Sequence, residues 1–426
     1  MKISIPKDGF YEFIIDLLII SVFFRGILEN LWDIGTLIMD VICGVLAVFY
    51  LFVDRRKPQG QRKYLNYFWS IAIVALIIVL VQAAVGRCSL YRGFIGYRGL
   101  ILYAITFPVL CKMKELNRFE RILRLLSNMG FVLSIFGIVQ FIFRERLPDF
   151  LITLNEIRKF GVGTTNIVRA TGLVGTTIDY GQMCVIFVAL YFGQIITKYD
   201  RSIMNWTKLI ISIVACILTF SRAAIFGMTG IIVFLYLKSS LKKMSINRMI
   251  ITVVVIILVC FIVYQLSDTI VFYRFSRANS VELARNDSVH WLAICRAGEY
   301  IRTYPIIGYT ADTQLIEGVV GRVIIADGTI WEYFLQWGIP LTVLWMLFAI
   351  LIAREAKTLS LSNNLFFSYM GLVLLALTIE LFVVSFVNSA WMFRGVYIIY
   401  WMLAGMVVAC RTSEKKTAWK TDYEFT

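Results

Sequence analysis

Apolar residues along this chain come in long runs, broken by short clusters of charge rather than by alternating polar positions. A helix rises 1.5 Å per residue, so a run of roughly 17–25 apolar residues crosses a hydrocarbon layer of ~30 Å. The pattern predicts twelve such helices, at about 10–28, 34–53, 66–85, 99–113, 125–143, 172–197, 203–220, 222–238, 248–266, 329–353, 364–388 and 391–410. The stretch from Ile203 to Lys238 is too long for one span. It is divided at Ser221-Arg222, which puts its lysine-bearing flanks, Lys198 and Lys208 before and Lys238, Lys242 and Lys243 after, on the same side. The expected fold is an all-α polytopic membrane domain over residues 1–426, with an enlarged loop at 267–328 and a tail at 411–426. Lys2 and Lys7 precede a first run longer than a signal-peptide core, and no small-residue cleavage site follows, so that run is expected to stay as a membrane helix.

Composition narrows the class. Of 426 residues, 59% are hydrophobic and 16% charged, against about 25% charged in an ordinary soluble domain. A soluble enzyme, a disulfide scaffold and a DNA-binding domain are excluded. The single histidine, His290, rules out a histidine-built metal site, and the eight cysteines form no Cys-x-x-Cys pair. Only Cys88 and Cys295 lie away from the apolar runs and leave a disulfide open. No phosphate-binding glycine loop is present, and no metal or cofactor is expected.

The net charge of +15 would suggest nucleic acid in a soluble protein, but here it reads as membrane sidedness. With the N-terminus inside, the inner loops hold 15 Lys and 10 Arg, and the outer ones 1 Lys and 16 Arg. The lysines give the topology, with both termini cytoplasmic. The arginines are not explained by it. Arginine's planar fork grips phosphate and carboxylate oxygens in a bidentate way that lysine cannot, so an anionic, phosphorylated ligand on the outer face accounts for them as a set. For any one arginine, ion pairing with an outer acid is the plainer alternative.

The long outer loop holds Arg274, Arg277, Arg285, Arg296, Arg302, Arg322 and His290. Within it, residues 287–302 carry an apolar stripe (Val289, Leu292, Ala293, Ala297, Tyr300, Ile301) and predict a surface helix, stopped by Pro305 and Gly308. Arg222 stands at a tight reversal between two short spans. Arg169 precedes the sixth span, and Asp179 lies inside it as either a structural or a substrate-facing acid. Asp327 ends the loop before the tenth span, as a helix cap or as a general base. Asp16, Asp40 and Glu380 also lie in apolar runs without an evident role.

Four segments, in this order, resemble the bacterial O-antigen polymerase and ligase superfamily of Wzy-like polymerases and WaaL-like ligases. They are Arg169-Ala-Thr-Gly172, Leu218-Thr-Phe-Ser221-Arg222, Arg302-Thr-Tyr-Pro305-Ile-Ile-Gly308, and Asp327 through Gly338-Ile339. Asp327 stands where a ligase would carry histidine, which favours a polymerase. The resemblance implies a membrane-embedded, metal-independent glycosyltransferase fold of GT-C type in the bacterial cytoplasmic membrane. It implies a donor glycan on undecaprenyl pyrophosphate, an acceptor that is a second lipid-linked repeat unit, and partners in a flippase and a chain-length regulator. Arg169, Arg222 and Asp327 are the expected catalytic residues. Arg274, Arg277, Arg285, Arg296, His290 and Asp179 are the expected substrate contacts. An O-antigen ligase remains the near alternative. A glycolipid transporter gated by Asp179 and Glu380 is the more distant one.

Overall fold

The computed structural model describes residues 7–56, 60–143, 146–151, 160–162, 165–167, 169–240, 292, 294–312 and 328–424. The predicted ninth span lies outside these residues. So do Arg274, Arg277, Arg285, His290, Arg322 and Asp327. The helices are α1 (Lys7–Phe23), α2 (Arg25–Trp32), α3 (Gly35–Val48), α4 (Arg62–Ala84), α5 (Leu90–Tyr97), α6 (Thr106–Lys112), α7 (Leu116–Phe143), α8 (Thr177–Thr197), α9 (Ile203–Leu218) and α10 (Arg222–Ser240). They continue with α11 (294–303), then α12 (Thr329–Leu359), α13 (Leu365–Val384) and α14 (Arg394–Glu424). One small antiparallel hairpin, β1 (Phe160–Val162) with β2 (Thr165–Ile167), interrupts the expected all-α fold; Phe160 pairs with Ile167.

Among the described residues, eight helical segments are long and apolar enough to cross a membrane, and Ile203–Leu218 is a shorter apolar helix. The protein is a polytopic membrane protein. The centre of the bundle is formed by α8 and α14, whose apolar windows are 78% and 89% buried. Small residues let α7 reach α8. A Cβ on Gly130 would meet the Phe187 ring at 2.5 Å, and one on Gly137 would strike Tyr180. Close backbone approach through small residues is how membrane helices gain packing without a hydrophobic force between them. The interface also carries hydrogen bonds, from Tyr191 to the Ser127 carbonyl at 2.6 Å and from Tyr180 to the Leu133 carbonyl at 3.2 Å.

Four expected boundaries are corrected. The first span breaks at Phe24, because the Gly26 amide leaves the helical ladder to bond the Leu173 carbonyl at 2.7 Å. The sixth begins at Thr177 rather than 172, because Gly172 and Gly175 adopt positive φ. The eleventh ends at Val384 rather than 388. The last helix runs on to Glu424, through the segment read as a tail. The division of 203–238 at Ser221-Arg222 is present as drawn. Helix α9 ends at Leu218, and α10 starts at Arg222, capped by the Ser221 hydroxyl.

The two ends of the bundle differ in chemistry. One end, where α1 starts and α6 finishes, is closed by a charged clasp. Arg56 joins Asp8 and Asp54, Tyr11 donates to Asp54 at 2.9 Å, and Lys112 donates to the Asp54 carbonyl at 3.0 Å. Tyr64, Glu355 and Arg411 extend this charged end across α4, α12 and α14. The opposite end, where α4, α7, α9 and α13 finish and α8, α10, α12 and α14 begin, holds Arg169 and Arg222.

Candidate active site

Two loops with reversed glycines form this second end. The first runs over residues 169–176. Arg169 is buried, and its Nε donates to the Thr219 carbonyl at 2.5 Å, while Ala170 N donates to the Leu218 carbonyl at 3.1 Å. The loop therefore lies directly on the α9–α10 reversal. That reversal is tight enough to force Phe220 into the left-handed region, with φ of 49°. Such a conformation costs a non-glycine residue about 1–2 kcal/mol. Thr219 offsets part of the cost, its hydroxyl donating to the Cys216 carbonyl at 2.7 Å and accepting from Ser221 N at 3.2 Å. Arg222 leaves the turn exposed, and no acid pairs with it among the described residues. The spacing of the Arg169-x-x-Gly172 segment also has a physical basis. Gly172 has φ of +57°, and a Cβ there would meet the Tyr180 ring at 2.6 Å.

Gln140, in the last turn of α7, pins the same loop. Its Oε1 accepts from the amides of Thr171 and Gly172, both at 2.9 Å, and its Nε2 donates to the Leu151 carbonyl and the Thr171 hydroxyl, both at 3.0 Å. Asp179 is the third residue of α8, behind the Thr176 cap that accepts its amide at 3.1 Å. A carboxylate there complements the helix dipole. It forms an ion pair with Arg25 at 2.8 Å.

The second loop is the Pro305–Gly308 turn after α11. In α12, Gly338 has φ of +75° and Pro340 has no N–H, so the ladder breaks and strands the carbonyls of Leu335 and Gln336. The turn satisfies the first and Gln82 the second. Tyr309 N donates to Leu335 O at 2.6 Å, and Ile339 N turns outward to Pro305 O at 2.8 Å. Gln82, in the last turn of α4, completes the junction. Its Nε2 donates to Gln336 O at 2.9 Å and Ile307 O at 2.7 Å, and its Oε1 accepts from Ala311 N at 2.7 Å. A Cβ on Gly338 would sit 2.2 Å from Ile306 O, which explains the Pro-x-x-Gly and Gly-Ile elements together. Arg87 donates to Gly308 O at 3.1 Å and stacks 4.0 Å over the Tyr304 ring. Burial raises the Tyr309 phenol above its ordinary range, helped by Tyr300 and Tyr304 and opposed by Arg87.

The surface helix predicted at 287–302 is present over its described part, 294–303. Ala297, Tyr300 and Ile301 of its apolar stripe pack with Leu335 and Tyr309, while Arg296 and Arg302 are exposed. The residue that precedes α12 is Gly328; the reading of Asp327 as cap or base lies outside the described residues. Thr329 fixes that helix start on the Asn388 carbonyl, its amide at 3.3 Å and its hydroxyl at 3.4 Å. Cys88 and Cys295 are both free thiols, so the disulfide left open by the sequence is absent.

Sequence reasoning missed Arg25, Gln82, Arg87 and Gln140. Arg25 and Arg98 pair with Asp179 and Asp40 respectively, so for these two outer arginines the plainer alternative is correct. The signal was available for the glutamines: each is an amide near the end of an apolar run, where hydrocarbon demands a partner.

Residues 208–346 match the family model Wzy_C, described as O-antigen ligase. The match supports placing the chain in the O-antigen polymerase and ligase superfamily. The matched segment runs from α9 into α12, and includes Arg222, the loop arginines, the Pro305–Gly308 turn and Asp327. Arg169 and Asp179 precede it. A comparison with curated proteins finds no match. The superfamily match supports O-antigen ligase- or polymerase-type, glycosyltransferase-like activity for this multi-pass membrane protein.

Proposed function

We propose that the protein polymerises undecaprenyl-pyrophosphate-linked oligosaccharide repeat units, for O-antigen, capsule or exopolysaccharide, on the outer face of the bacterial cytoplasmic membrane. The observation that carries this reading is the superfamily match across the Ser221-Arg222 turn and the segment ending at Gly338. Arg169 supports it by lying on the carbonyl of Thr219, three residues from Arg222. In the reaction, the acceptor sugar hydroxyl attacks C1 of the donor glycan. The C1–O bond to pyrophosphate breaks, and its electron pair leaves with undecaprenyl pyrophosphate. Arg222, with Arg169 behind it, stabilises the charge that builds on the leaving diphosphate. Asp327 takes the hydroxyl proton as C1 passes through an oxocarbenium-like state. Arg274, Arg277, Arg285, Arg296 and His290 hold the lipid-linked phosphates and sugars. No metal is invoked.

The lysines support the orientation. Lys7, Lys112, Lys198, Lys238 and Lys357 all stand at the end of the bundle that carries the Arg56–Asp54 clasp, which supports a cytoplasmic position for that end. A flippase delivering the repeat unit and a chain-length regulator are the proposed partners.

The match to a model described as O-antigen ligase keeps a ligase as the second reading. Asp327 in place of histidine speaks for the polymerase. Of the transporter reading's gate candidates, Asp179 pairs with Arg25, and Glu380 packs against Gly227 between α10 and α13. The test is complementation of a deletion strain with Arg169→Ala, Arg222→Ala and Asp327→Asn. All three are expected to restore membrane protein but no polymer. Full-length polymer from Arg222→Ala and Asp327→Asn together would overturn the assignment.

A further inference from the structure

The 169–176 loop is held from three directions. Gln140 grips Thr171 and Gly172 from α7. The α9–α10 reversal takes Arg169 and Ala170. The third hold is the break in the first span, which sequence patterning had drawn as one continuous helix. There the Gly26 amide bonds Leu173 O, and a Cβ on Gly26 would meet Leu173 O at 2.5 Å and Gly175 N at 2.7 Å. Beside it Arg25 pairs with Asp179, whose side chain is 1% exposed against 14% for Arg25. A Cβ on Gly175 would lie 3.6 Å from the Arg25 Nη2. Arg25 thus bridges α2 to the start of α8, across the loop that ends in the Thr176 cap.

We infer that Arg25 is a positioning residue for the site: through its ion pair with Asp179 it fixes the 169–176 loop, and so the placement of Arg169 on the Thr219–Arg222 reversal. The inference rests on the polymerase reading for its activity readout, but not for its structural one. Removing one member of a buried ion pair is strongly destabilising, and Asp179 responds by pulling the loop out of register. The helix start itself survives, because the Thr176 hydroxyl still accepts the Asp179 amide and the helix dipole still favours a carboxylate in the first turn.

The experiment uses the full chain in detergent or membranes, with Arg25→Ala, Arg25→Lys, Asp179→Asn, the pair Arg25→Ala/Asp179→Asn and the exchange Arg25→Asp/Asp179→Arg. The first readout is amide hydrogen exchange over residues 169–176. The second is transfer with a lipid-linked repeat unit, resolved into kcat and donor KM. Arg25→Ala is expected to speed loop exchange at least tenfold and to lower kcat by ~10–100-fold with donor KM changed less than threefold. Arg25→Lys is expected to stay within about fivefold of the parent in both. The double variant is expected to be no worse than Arg25→Ala, and the exchange variant to recover loop protection. Unchanged loop exchange in Arg25→Ala would overturn the inference. So would faster exchange with unaltered kcat, or a donor KM raised tenfold in Arg25→Ala but not in Asp179→Asn, which would make Arg25 a substrate contact. If Arg25→Ala fails to fold, the exchange variant decides: a folded, protected loop supports the pair, and an unprotected one refutes it. If the parent proves to make no polymer, the loop readout still stands, so failure of the functional reading is distinguishable from failure of the inference.

Discussion

Replacing Gln82 by leucine should unfasten the junction between the Pro305–Gly308 turn and the kink in α12. The side chain is fully buried and serves three backbone groups: Gln336 O, Ile307 O and Ala311 N. Gln336 O has no helical alternative, because its partner four residues on is Pro340. Residues Gln336 and Ala311 are buried, and Ile307 is partly exposed, so water can rescue one group of the three. A buried backbone group left without a partner costs about 1–3 kcal/mol, so two give roughly 2–6 kcal/mol against the docked turn. At 1.4 kcal/mol per tenfold that is about 30-fold to 10⁴-fold in the local opening equilibrium. Leucine is near glutamine in volume, so cavity effects are small. The assay is amide hydrogen exchange of the Tyr309 and Ile339 amides, which make the two bonds across the junction. Exchange at both should quicken by at least 30-fold, while amides in α8 stay protected. Exchange changed by less than threefold would refute the assignment of Gln82 as the junction's fastener.

Further expectations concern the other loop, the arginine fork and the charged clasp. Gly172→Ala must hold φ of +57° and push a Cβ against the buried Tyr180 ring at 2.6 Å, at a combined cost of about 2–5 kcal/mol; a lower midpoint in detergent denaturation and lost polymer are expected, and parental stability would contradict it. Arg222→Lys keeps the charge but loses the two-pronged donor, so transfer should fall roughly 10-fold or more, towards the ~10²–10³-fold loss expected of Arg222→Ala; a lysine enzyme at full rate would show that charge alone suffices. For Asp54, burial raises the pKa, but hydrogen bonds from Arg56 and Tyr11 and the Arg56 charge outweigh it and bring the carboxyl from 3.8 to about 2. A depressed carboxylate contributes stability above its unfolded pKa and loses it as pH falls, so the clasp should loosen between about pH 4 and pH 2. Limited proteolysis ahead of α1 should show this, and Asp54→Asn should remove that pH dependence.

The architecture was legible because hydrocarbon imposes a length rule, and charged flanks such as Lys198 and Lys238 mark the ends. The reversal at Ser221-Arg222 was found this way, since 36 residues cannot cross once. The break at Phe24 was not, because the apolar run resumes at Ile27 and Leu28 after only Arg25-Gly26, too short an interruption to mark a helix end by pattern. It is made by the distant Leu173 carbonyl accepting from Gly26. Arg169 and Arg222 were visible as arginines outside the lysine pattern. The groups that hold the two loops were not: Gln82, Gln140 and Arg25 act across more than thirty residues of chain, and no local periodicity encodes such a contact. The predicted pairing of outer arginines with acids was open in the sequence, and the structure divides it. Arg25 and Arg98 are paired, whereas Arg222, Arg296 and Arg302 have no acid among the described residues.

The central claim is that the protein joins lipid-linked repeat units. It is tested most directly by the glycan profile of a strain lacking the protein, run on a gel that resolves repeat number and paired with extraction of undecaprenyl-linked intermediates. Loss of the ladder, with single repeat units left on their carrier or anchor, is the predicted result. Long polymer accumulating on undecaprenyl pyrophosphate would contradict it in favour of a ligase, and an unchanged ladder would contradict both.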